Sequence, residues 1–169
     1  MKKLFFAAAL IGLTLMSCGD DDSNPTTVNA SIDGTWKLTG IILDDAYDFD
    51  GDGTASTNLV TETNCFNNSK LIFANGQIFI TGEDVSISSE GTGSNAIYSF
   101  ECDPADTAVS TYTVTDNQVI VGTGEDAAFL TRNGNTLTIY DEAATYISMI
   151  SAGGTFYLDI PGTYIFTKQ

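Results

Sequence analysis

"KLIFANGQIFITG", residues 70–82, sets two runs of apolar and β-branched residues on either side of Asn75-Gly76. Asn-Gly suits a two-residue turn with positive φ at both positions. Flanked by alternating hydrophobics, it is the strongest short-range signal of a β-hairpin. The arrangement returns in "STYTVTDNQVIVG" (110–122) around Asp116-Asn117, and in "AFLTRNGNTLTIYD" (128–141) around Asn133-Gly134. Upstream, "TWKLTGIIL" (35–43) opens with the same alternation. "ATYISMI", "GTFYLDI" and "GTYIFTK" supply further strands toward the C-terminus. The "GTW", "GTF" and "GTY" tripeptides recur at uneven spacing, as turn chemistry and not as a repeat. One short helical turn is expected within 57–64. The polar segment between Ile80 and Ile97, "TGEDVSISSEGTGSNA", reads as one weak strand plus a mobile loop. About eight to ten strands joined by hairpins give an all-β, antiparallel up-and-down barrel or a sandwich, and a barrel removes the exposed edges of a lone sheet.

Composition narrows the chemistry. The 169-residue chain has 22 acidic residues, six basic ones and no histidine. Without histidine there is no Ser-His-Asp triad, no Cys-His pair and no usual zinc site. The two Gly-Thr-Gly stretches, 91–93 and 122–124, lack the lysine of a phosphate loop and read as turns. Carboxylates are plentiful, but no acid/base pair stands out among them, and the chain is expected not to be an enzyme. The charge repels phosphate backbones, which excludes nucleic acid as a partner.

The N-terminus carries an address. Lys2 and Lys3 precede the apolar run 4–16, too short to span a bilayer and laid out as a secretory signal peptide. It ends in "LMSC", which resembles the lipobox of bacterial lipoproteins. Leu15 holds the apolar position and Ser17 the small one, ahead of Cys18, the residue such a lipobox lipidates. Residues 1–17 are then a lipoprotein signal peptide, and 18–30 a lipidated cysteine followed by a disordered acidic tether. Asp20, Asp21 and Asp22 directly after the cysteine resemble the export signal of surface-exposed lipoproteins in some Gram-negative bacteria. The expected location is the outer membrane, facing outward. Loss of 1–17 leaves four basic against 22 acidic residues, a net charge of −18, so attachment comes from the lipid and not from charge. With Cys18 lipidated, Cys65 and Cys102 are left in an oxidising compartment, where they most simply pair. The alternative, a reactive thiolate, needs a basic neighbour, and Lys70 is the only lysine near either in sequence.

Within residues 31–169, "IDGTWKLT" (32–39) looks like the first strand of lipocalin-like proteins, with Gly34 and Trp36 in the Gly-x-Trp positions. The order that follows is an acidic "DGDG" loop, "NLVTETNC", "KLIFANG" and a second cysteine at 102. It resembles the bacterial lipocalin-like domain family of surface lipoproteins. That resemblance implies an antiparallel barrel of about eight strands able to hold one small ligand, and no settled activity. One face carries Trp36, Leu38, Leu71, Phe73, Tyr112, Val114, Leu137, Ile139, Phe156, Leu158, Tyr164 and Phe166. These residues either fill the interior or wall a pocket for a small apolar or glycan ligand. In the filled case the protein is a structural or interaction subunit with an envelope partner.

"DFDGDGTAS" (48–56) places aspartates at alternate positions and then a glycine. An EF-type calcium loop takes oxygens from positions 1, 3, 5, 7, 9 and 12, with glycine at 6. Asp48, Asp50 and Asp52 match the first three, Gly53 the glycine, Thr54 the carbonyl position and Ser56 the water-mediated one. Position 12 is Leu59, so the last ligand must come from elsewhere: Glu62, or Asp44 and Asp45 upstream. The competing reading is a polar turn, in which Asp and Gly are common without metal. Five aspartates within nine residues, with no basic residue among them, favour a cation, expected to be calcium in a structural role.

Overall fold

The computed structural model of the protein describes residues 31–91, 96–151 and 154–169. Residues 31–169 fall within one compact unit. The signal peptide, Cys18, the tether and part of the Gly91–Ala96 connection lie outside the described residues.

Asn75 and Gly76 both take positive φ, +54° and +75°, the left-handed pair that an Asn-Gly turn supplies, and they join β3 (Lys70–Ala74) to β4 (Gln77–Glu90). The chain then runs through β5 (Ile97–Thr115), β6 (Gln118–Val121), β7 (Ala128–Asn133), β8 (Thr136–Ser151) and β9 (Gly154–Lys168). Ahead of them stand β1 (Gly34–Tyr47), β2 (Ser56–Asn58) and the one-turn helix α1 (Leu59–Thr63). β1 pairs antiparallel with β3, each strand from β3 to β9 pairs antiparallel with the next, and β9 returns to β1 from Trp36–Lys168 to Leu43–Gly162. The result is a closed, eight-stranded up-and-down barrel, with β2 as an extra strand on β1. At the closing seam the backbones come close: a Cβ on Gly162 would stand 2.9 Å from the Ile42 carbonyl oxygen.

Four strands outrun the barrel. The far halves of β4 and β5 form one hairpin arm, and those of β8 and β9 a second. The arms join through a parallel pairing of β4 with β8 at Ile87–Ile147, Ser88–Ser148 and Ser89–Met149. A small four-stranded sheet, ordered β5-β4-β8-β9, therefore stands beyond the barrel. β-Bulges at Gly82–Asp84 and Asp141–Thr145 mark where each arm bends away.

Two cores follow from this division. In the barrel, Trp36, Phe73, Ile78, Val119 and Leu137 are buried and pack with Ile32. The Trp36 indole N–H donates to the Ile32 carbonyl at 2.8 Å, and Arg132 and Lys168 lie over its ring at 5.7 and 5.5 Å. Under the sheet, Ile41, Leu43, Phe49, Leu59, Val85, Ile87 and Ile147 form the second core.

Several expectations are corrected. Within the 81–96 segment, residues 81–90 are not a separate weak strand but the second half of β4, because Val85, Ile87 and Ser89 alternate inward, and most of the expected loop lies outside the described residues. The third hairpin turns at Gly134-Asn135, one residue later than read. Arg132 pairs with Leu137 and Asn133 with Thr136, which leaves the glycine at the loop position with φ +59°. Val114 faces inward beside Val119 yet is 43% exposed at the strand end. Phe156 and Leu158 are also exposed, because β9 there has a neighbour on one side only.

Gly162→Ala is expected to cost about 1–3 kcal/mol, since the new methyl meets backbone that cannot yield without opening the β1–β9 seam. Gly82→Ala, with nothing within 4 Å of its would-be Cβ and no positive φ, should stay within about 0.5 kcal/mol. Urea denaturation of both variants checks the pair.

Candidate functional site

The acidic loop is pinned by the phenylalanine between its first two aspartates. Phe49 is buried, stacked on Tyr47 at 5.0 Å and edge-on to Tyr98 at 5.2 Å. Its burial leaves Asp48 and Asp50 on either side of a fixed backbone, whose Phe49 N–H donates to Glu62 Oε2 at 3.0 Å. Glu62 itself sits on α1, only 7% exposed. That helix is held by Asn58 as N-cap, with Oδ1 accepting from Val60 N at 3.2 Å, and by Asn64 in the left-handed conformation after its end.

Carboxylate oxygens of Asp48, Asp50 and Glu62 thereby come within 4.8 Å of one another. Asp48 Oδ2 accepts from the Gly53 N–H at 3.0 Å and Asp50 Oδ1 from the Asp52 N–H at 3.0 Å, so the loop curls around its own carboxylates. Asp48 Oδ1 is buried and has no hydrogen-bond partner. Burial first, and then the charges of Asp50 and Asp48, push the Glu62 carboxyl above its ordinary range, against the backbone N–H donors of Phe49 and Asp50. Of the other residues read as ligands, Asp52 lies outside this trio and accepts the Thr54 N–H at 2.7 Å. Ser56 Oγ is engaged by the Asn58 N–H in β2. Asp44 is on exposed β1, reached by the Tyr140 hydroxyl at 3.4 Å, and Asp45 is exposed beside it.

Cys65 and Cys102 form the disulfide, with Cα atoms 5.2 Å apart, and tie the segment after α1 to β5. Loop-closure entropy for the 37-residue separation gives about 4 kcal/mol of stabilisation.

A second feature was not read from the sequence. The outer face of the four-stranded sheet carries Ser86 and Ser88 on β4, Ser99 and Glu101 on β5, Tyr146 and Ser148 on β8, and Tyr157 and Asp159 on β9. The Tyr146 and Tyr157 rings meet edge-on at 5.6 Å, and Tyr157 is 68% exposed. Ser88 and Ser99 hydroxyls lie 2.8 Å apart, and Ser86 donates to Asp103 at 2.8 Å. Ser86, Ser88, Ser99, Glu101, Tyr146, Ser148 and Tyr157 border an open trough of about 430 Å³, and Asp159 lies beside it on the same face. The alternation Ser86, Ser88 was the available signal, masked by the polar look of the segment.

No family model matches the chain, and no curated protein or solved structure does either.

Glu62→Gln keeps the bond from Phe49 N and removes one of three crowded charges. Like charges about 5 Å apart repel by about 1 kcal/mol even in water-like surroundings. In EDTA at pH 7 the variant should therefore melt a few degrees higher than wild type. An unchanged or lower Tm would show that the carboxylates do not strain one another.

Proposed function

We propose that this protein is a non-catalytic, lipid-anchored lipoprotein of the Gram-negative outer membrane, exposed at the cell surface. In this reading its lipocalin-like barrel is stabilised by calcium, and it holds a glycan in the trough on the outer sheet. The observation that carries the glycan assignment is the exposed Tyr146–Tyr157 pair beside a row of hydroxyls and carboxylates. Sugars offer apolar ring faces edged with hydroxyl groups. Exposed tyrosine rings match the first, and serine hydroxyls with Glu101 and Asp159 match the second. A ligand deep in the barrel is disfavoured, because Trp36, Phe73, Ile78, Val119 and Leu137 occupy that space. The binding reading is also preferred to a glycosidase. Glu101 and Asp159 lie on the two outermost strands of the sheet, roughly 14 Å apart at the usual strand spacing. Hydrolytic carboxylate pairs sit within about 10 Å.

Calcium is supported by the donor set. Asp48, Asp50 and Glu62 offer hard oxygens from two segments, and the buried, unpartnered Asp48 Oδ1 is the atom a cation would satisfy. Glu62, rather than Asp44 or Asp45, then supplies the ligand that position 12 lacks. The ion would clamp the β1–β2 loop to α1, next to the disulfide. Calcium at a hundred times its dissociation constant is expected to add about 2.7 kcal/mol, a rise of several degrees in Tm over EDTA. Asp48→Asn and Glu62→Gln should each abolish the rise. A calcium response that survives both substitutions would place the ion elsewhere.

For the glycan, titration calorimetry against a panel of neutral and acidic oligosaccharides is the check. Tyr146→Ala and Tyr157→Ala are each expected to weaken binding about tenfold, or 1.4 kcal/mol. Undiminished binding in the double variant, or no saccharide bound at all, ends this reading. The second reading, an interaction subunit of an envelope complex, is favoured by Ile97, Ile150, Phe156 and Leu158, exposed on the two arms.

A further inference from the structure

β6 and β7 are short, four and six residues, whereas the strands beside them run on for many more. The barrel wall between β5 and β8 therefore ends early, and β4 does not meet β8 until Ile87 reaches Ile147. In the space before that junction is a cavity of about 400 Å³, on the barrel side of the sheet, which shares only Tyr146 with the trough. Its apolar surface includes Leu38, Leu71, Tyr164 and Phe166, four of the residues whose alternation marks the inner face.

Three features of its lining point to a ligand. Thr145 is 4% exposed, lines the cavity, and its hydroxyl has no hydrogen-bond partner. A buried hydroxyl left unpaired costs free energy, which a bound donor would recover. Glu83, Asp84 and Asp106 also line it, and no lysine or arginine does. Glu83 is already engaged by Asn68 through two bonds of 2.7 and 2.6 Å, but Asp84 holds only the N–H of Val85, through Oδ1. The field of these carboxylates reaches the aromatic surface. Tyr164 is pushed up to about 12, first by burial and then by Asp84 and Asp141, and its hydroxyl donates to the Ala144 carbonyl at 2.7 Å.

We propose that this cavity binds a small organic monocation, a protonated primary amine on a short apolar or aromatic body. An ammonium has three protons to donate and nothing to accept. Asp84 and Asp106, both exposed, offer carboxylate acceptors, Thr145 adds a buried unpartnered hydroxyl, and Phe166, Leu38 and Leu71 offer a surface for the body. Aromatic rings favour a cation placed over them. An anion is repelled, and a neutral alcohol gains nothing from the charge of the two carboxylates.

The test uses the purified protein in 150 mM NaCl and 1 mM calcium chloride, so that the acidic loop is not what the probe finds. Phenethylamine, 2-phenylethanol and 3-phenylpropionate, matched in size, are titrated by calorimetry. The amine should bind, the alcohol at least tenfold more weakly, and the acid not detectably. Asp84→Asn with Asp106→Asn should weaken the amine at least tenfold, and Thr145→Val several-fold. Ala143→Trp, at an exposed position on the cavity lining, fills the space without changing net charge and should abolish binding while the protein stays folded. Tyr157→Ala, in the trough, should leave it intact. Equal affinity for amine and alcohol, amine binding that survives Ala143→Trp, or no binding of the amine would each overturn the proposal. Survival in Ala143→Trp would assign the attraction to the general acidic surface.

Discussion

Three parallel residue pairs, Ile87–Ile147, Ser88–Ser148 and Ser89–Met149, hold the two hairpin arms side by side. Each arm alone would be a two-stranded ribbon standing in water, and such ribbons are marginal. Joined, they expose one common face and shelter the other, where Val85, Ile87 and Ile147 become core. The trough exists because four strands are aligned. The lateral cavity exists because β4 and β8 meet only at this height, after the barrel wall between them has ended. Both candidate binding surfaces are thus consequences of one short seam.

Charge shapes the rest. Of the four basic residues within 31–169, Arg132 and Lys168 are directed onto Trp36 and onto the carbonyls of Gly134 and Ser31. Two of the few cations thus close the base of the barrel, where the 31–33 segment also anchors through Ile32 and the Tyr112–Asp33 bond of 3.0 Å. The carboxylates at the other end are left to water, backbone N–H groups and any cation that the solvent supplies. A protein of this balance gains most from positively charged ligands. The acidic loop and the lateral cavity are where its geometry gathers oxygen acceptors.

Local signals were readable wherever one residue type meets one backbone demand. Asn75-Gly76 needs positive φ twice, and the hairpin followed. Trp36, Leu71, Phe73 and Leu137 alternate, and the inner face of the barrel followed. The paired cysteines followed from their number. Alternation overruled the turn signal at Asn133-Gly134, since Leu137 had to point inward. Phe156 and Leu158 look like core but stand where β9 lacks a second neighbour, a fact of topology and not of pattern. The acidic loop was visible as a string of carboxylates. Its closure by Glu62 was only one of several options, because the return through α1 depends on Asn58, Phe49 and the disulfide together. Parallel pairing between β4 and β8 left no local trace, and with it the trough stayed hidden.

The closing seam has a temporal side. Thr39 and Thr167 face one another at 2.9 Å across β1 and β9, yet lie 128 positions apart in the chain. Contacts of such separation are the slowest to find, because loop closure must precede any reward from pairing. β2 and β3 share one edge of β1, so its other edge stays unpaired until β9 is made, and nothing can seal the cylinder earlier. During synthesis the sheet stays open along that edge, even where its hairpins have already formed. Its shape is sealed only after its final strand arrives.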